Sequence, residues 1–81
     1  MASKKYYVTV EYDTDAIKER GVKRFQNYDD AYDYYDKSKE IALIMYKDEL
    51  QSRYETKEKL REFVMMDYGR DGGVYIKMWR N

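Results

Sequence analysis

Tyrosine must build much of whatever core this chain forms, because Leu, Ile, Val and Phe together supply only 14 of its 81 residues while tyrosine alone supplies 11. A tyrosine ring buries well, but its hydroxyl needs a partner or water, so tyrosines gather at core edges and interfaces. So low an aliphatic content would suggest disorder if it came with a large net charge. Here 16 basic residues balance 16 acidic ones, and the chain is expected to fold. At this length roughly 60 to 65% of the unfolded surface can be buried, which suits a single compact domain over residues 1–81 and no second lobe.

Tyr6, Val8, Val10 and Tyr12 alternate with Tyr7, Thr9 and Glu11, which predicts a strand over Lys5–Tyr12. Asp13-Thr14-Asp15 breaks the alternation, and Gly21 restarts a short extended piece from Val22 to about Asn27; the two are expected to form a hairpin with a long connection. Asp29 or Tyr28 opens a helix that runs to about Lys39, with aspartates at its positive end and Lys37 and Lys39 at its negative end. The apolar run Ile41–Tyr46 fits a buried strand or more helix, and its length and flanks favour the strand. Over residues 48–62, Leu50, Tyr54, Leu60 and Phe63 recur at loose helical spacing, although Leu50, Ser52 and Tyr54 would also alternate; mainly helix is expected there. Phe63–Tyr68 and Val74–Trp79, joined through Gly69-Arg70-Asp71-Gly72-Gly73, read as a terminal hairpin. The expected fold class is α+β, a small antiparallel β-sheet with one or two helices packed on one face.

Within the first helix, eight of the nine positions Tyr28–Asp36 are tyrosine or aspartate. At 100° per residue, Asp29, Asp33, Asp36 and Glu40 lie within an arc of about 60°. Tyr28, Ala31, Tyr32 and Tyr35 take the adjoining face, which is apolar enough to lie on the sheet, while Asp30 and Tyr34 project elsewhere. Carboxylates about 5 to 6 Å apart along a helix approach the charge spacing of a nucleic-acid strand. Such a row suits the basic groove of a nucleic-acid-handling protein, with Tyr32, Tyr34 and Tyr35 as anchors. The blander meaning of a charge run is a solvated face.

Other chemistries find little support. The chain has no cysteine and no histidine, which removes disulfides, zinc-finger ligation and the usual neutral-pH proton shuttle. Any metal site would be all oxygen, no calcium-loop spacing appears, and neither a metal nor a cofactor is expected. No nucleophile and base pair is identifiable, so no enzymatic activity is expected. Met1-Ala2-Ser3-Lys4-Lys5 runs into the first strand without an apolar signal region, and no stretch approaches membrane-spanning length; a cytoplasmic protein is expected. Trp79 either closes the core or stands exposed as a contact residue.

By class, a compact, cysteine-free, tyrosine-rich chain with an acidic helix resembles the small accessory proteins by which phages block host defence nucleases, including anti-CRISPR proteins. That resemblance implies a non-enzymatic inhibitor or adaptor that engages a basic protein partner through Asp29, Asp33, Asp36, Glu40, Tyr32, Tyr34 and Tyr35. Two other readings remain. Exposed tyrosines and a sheet edge would suit a self-associating homodimer. Lys4, Lys5, Lys18, Arg20, Lys23 and Arg24, with Tyr6, Tyr7 and Phe25, would suit single-stranded nucleic acid, although residues 1–24 carry six positive charges against four negative ones, far from a strongly basic footprint.

Overall fold

The computed structural model describes residues 5–14, 17–46, 52–56, 60–66 and 72–80. Two strands, β1 (Tyr6–Asp13) and β2 (Lys18–Phe25), precede one helix, α1 (Tyr28–Tyr46); β3 (Ser52–Thr56), β4 (Arg61–Met66) and β5 (Gly73–Arg80) follow it. The strands form one antiparallel sheet in the order β2-β1-β5-β4-β3, with β5 at its centre between β1 and β4. This is the α+β architecture expected, with a single helix among the described residues.

Alternation sorts the sheet into two faces. Val8 lies opposite Met78, Val10 opposite Ile76 and Tyr12 opposite Val74, while Phe63 and Met65 continue the same rows on β4. These side chains meet α1, and most of them are fully buried. The helix contributes Ala31, Tyr35, Ser38, Ala42 and Tyr46, whose spacing of four, three, four and four keeps them on one face for the whole length of α1.

That spacing overturns the reading of Ile41–Tyr46 as a strand. Ala42 and Tyr46 stay in helical step with Ala31 and Tyr35, Leu43 packs partly against the core, and Ile44 and Met45 face outward instead of into a sheet. The helix begins at Tyr28, one of the two expected starts, with its cap one residue before it. Asn27 is the cap: its Oδ1 accepts the Asp30 backbone N–H at 2.9 Å, and its Nδ2 donates to Asp30 Oδ2 at 3.0 Å, a reciprocal arrangement that satisfies an otherwise unpaired amide.

The first hairpin is tighter than expected. β2 begins at Lys18 rather than Val22, and Asp13 pairs directly with Lys18. Thr14 N–H donates to the Ile17 carbonyl at 2.8 Å and Ile17 N–H to Thr14 Oγ1 at 3.0 Å. The buried Thr14 hydroxyl also shares a 3.4 Å hydrogen bond with the Tyr46 hydroxyl, tying the hairpin to the end of α1. The other correction is β3. Ser52–Thr56 is an edge strand rather than helix, and residues 48–51 and 57–59 lie outside the described residues. The terminal hairpin forms as expected, with Phe63 opposite Ile76, although most of its turn, residues 67–71, also lies outside them. Gly73, at φ 155°, is required by close approach, since a Cβ there would run into the Met65 carbonyl oxygen of β4.

Trp79 takes neither expected place. It lies on the sheet face away from α1, stacked on Tyr7 (centroids 4.4 Å apart, planes 15° apart), and its Nε1–H donates to Thr9 Oγ1 at 2.9 Å.

Candidate functional site

Three of the six large apolar side chains exposed among the described residues are on the last turns of α1: Ile41, Ile44 and Met45. Ile44 is 81% exposed. Asp33, Lys37, Glu40 and Ile44 follow one another at spacings of four, three and four, so the acidic row of the first half of the helix runs directly into this apolar patch. The sequence reading missed the patch because it assigned these residues to a buried strand; continuing the helical wheel past Lys39 would have placed Ile44 in line with Glu40.

The four carboxylates differ in how far they are committed. Asp33 pairs with Lys37 across one turn at 3.2 Å, with both side chains about two-thirds exposed, an arrangement that contributes at most a few tenths of a kcal/mol. Asp36 is part of a built cluster. Lys39 Nζ lies 3.5 Å from Asp36 and 3.0 Å from Glu55 of β3, above the rings of Tyr35 and Phe63. Burial would depress the Lys39 pKa, but the hydrogen bond and charge of Glu55, joined by Asp36, outweigh it and raise the pKa. Asp36 therefore helps to hold the helix to the sheet edge. Asp29 and Glu40 are exposed, and neither forms an ion pair among the described residues.

The three tyrosines divide as well. Tyr35 is wholly buried at the centre of the helix–sheet contact and offers no surface to a partner. Tyr32 is half-buried, its ring parallel to that of Tyr28 and 5.0 Å from the guanidinium of Arg61; the hydrogen bond that Arg61 donates to the Tyr28 hydroxyl raises the Arg61 pKa. Tyr34 does not project away from the sheet as expected. It leans on Phe25 of β2, 5.4 Å between centroids, beneath the Lys23 ammonium at 5.0 Å, because its position on α1 overhangs the edge strand.

The surface facing solvent is thus Asp29, Asp33 and Glu40 beside Ile41 and Ile44, with Asp36 and Tyr32 at its border. It is convex and carries charge beside exposed aliphatic area, which suits docking into a recess of another macromolecule. The residues set aside for single-stranded nucleic acid are split between two faces. Lys18, Arg20 and Arg24 share the face away from α1 with Tyr7, which is stacked on Trp79; Tyr6, Lys23 and Phe25 lie on the helix side, and Lys4 lies outside the described residues. Among the described residues no group of three acidic side chains is placed to hold a metal ion, and no helix is long and apolar enough to cross a membrane. No protein-family model, curated protein or solved structure matches the chain.

Proposed function

We propose that this protein is a non-enzymatic binding protein, an inhibitor or adaptor, whose helix α1 docks on a basic protein partner. The observation that carries the proposal is Ile44. An isoleucine 81% exposed on a helix face that carries Asp29, Asp33 and Glu40 with one lysine, Lys37, adds little to this fold. Desolvating it in a partner's pocket would contribute about 1.5 to 3 kcal/mol. Asp29, Asp33 and Glu40 around it would meet the partner's cations, quickening association and setting orientation more than affinity. A carboxylate row ending in an apolar anchor suits a protein whose basic groove ordinarily holds a phosphate backbone, the class of target that phage anti-defence and anti-CRISPR proteins block.

Affinity capture from the native host, with the wild-type chain and two variants as bait, tests this. Ile44→Asp is expected to abolish retention of the partner. The Asp29→Lys and Asp33→Lys double variant is expected to slow association and to reverse its salt dependence. Ile44→Asp should melt as the wild type does, since Ile44 is exposed; the double variant should melt slightly lower, because it removes a first-turn carboxylate and the partner of Lys37. Retention of the same proteins by Ile44→Asp and by wild type would overturn the proposal.

A further inference from the structure

Strand β2 presents a second surface, independent of the crest of α1. One backbone edge of Lys18–Phe25 is bonded to β1, and among the described residues nothing occupies the other. Every residue from Lys18 to Arg24 is exposed. Pleating sends Lys18, Arg20, Val22 and Arg24 to the face away from α1, and Glu19, Gly21, Lys23 and Phe25 to the helix side. The strand carries four cations against one carboxylate, and three of the cations share the outer face. On the helix side, Val10, Tyr12, Gly21, Lys23 and Tyr34 line an open groove of about 610 Å³. A Cβ placed on Gly21 would have nothing within 4 Å. Ile41 and Met45 share the Tyr34 flank of the helix and are 52% and 46% exposed.

We propose that β2 accepts an extended acidic segment of a partner protein as an added strand, with the segment's carboxylates on the outer face and its alternate apolar side chains in the groove beside α1. Basic residues on an edge commonly serve to prevent unwanted pairing, and these do so toward a second copy. In a symmetric antiparallel pairing of two β2 strands, each face-preserving register sets cation against cation: Lys18 opposite Arg24, Arg20 opposite Arg24, or Arg20 opposite its own copy. An acidic strand makes every one of those contacts attractive. Lys18 and Arg20 already face Asp13 and Glu11 of β1, at 2.9 and 3.8 Å, so an added strand would hold each cation between two carboxylates. Lys39 is held that way between Asp36 and Glu55.

The probe is a capped peptide of the length of β2, alternating Val or Thr with Glu, titrated into the isotope-labelled full chain and followed by amide NMR shifts. Two controls accompany it: the same peptide with Lys for Glu, and the Glu peptide N-methylated at alternate residues, which keeps its charge but cannot pair along one edge. Shifts concentrated in residues 18–25 and 41–45, absent with both controls, are expected. Arg20→Glu with Arg24→Glu should weaken the Glu peptide by about tenfold and admit the Lys peptide. The proposal is overturned by an undisturbed β2, by equal binding of the N-methylated peptide, or by β2 shifts that depend on protein concentration without peptide, since that last result would make the occupant a second copy.

Discussion

Tyr35 shows what a tyrosine-built core costs. Its ring fills the centre of the helix–sheet contact, yet its hydroxyl is buried with no hydrogen-bond partner among the described residues. An unpaired buried hydroxyl costs about 1 to 3 kcal/mol. Tyr35→Phe keeps the ring and removes the penalty, so it should stabilise the protein at neutral pH by about 1 kcal/mol, raising Tm by roughly 4 to 8 °C. Burial, with the nearby Glu55 carboxylate, also raises the Tyr35 pKa above its ordinary value of 10.0. A raised folded-state pKa means that the native chain holds this proton more tightly than the unfolded chain. Its contribution is complete below about pH 10 and is lost as the pH climbs past it. Denaturant titrations from pH 8 to 11 should therefore show a loss of stability at the alkaline end that is smaller in Tyr35→Phe. Equal losses in both would remove Tyr35 as the cause.

At the scale of elements, the well-read segments are those whose two faces meet different surroundings. β1 and β5 alternate cleanly because one face packs on α1 and the other does not. β2 and β3 are the edges of the sheet, and every residue of β2 from Lys18 to Arg24 is exposed; their sequences, Lys18-Glu19-Arg20-Gly21 and Ser52-Arg53-Tyr54-Glu55, carry no apolar period that marks a strand. The second half of α1 failed for a different reason. Ile41, Leu43, Ile44 and Met45 make a continuous apolar run, and only the decision to leave Ile44 in solvent reveals it as helix. The N-terminal end depends on Asn27, and Asn27→Ala should cost about 1 kcal/mol, read as a lower urea midpoint with an unchanged slope. No change in midpoint would show that Asp29 and Asp30 alone suffice at the positive end of the helix.

Over the whole molecule, burial falls away from the centre of the sheet. β1 and β5 are paired on both edges, and β2 and β3 on one. Amide exchange should therefore be slowest in Val8, Val10, Ile76 and Met78 and faster throughout Lys18–Arg24; protection in β2 equal to that in β5 would contradict this. A net charge of zero hides a segregation of charge, with β2 basic and the outer face of α1 acidic. The amino-acid sequence by itself determined the α+β class, the strands β1 and β5 and the acidic helix row, because alternation, turn residues and helical spacing are local properties of the chain; the pairing of β1 with β5 is long-range and came only with the tertiary structure. Tertiary structure decided which apolar residues are core and which are surface. Residue type alone would bury Ile44 before Ala42, yet Ala42 is wholly buried and Ile44 almost wholly exposed; helical spacing sets the two on different faces, and which face is buried was decided only when α1 lay on the sheet.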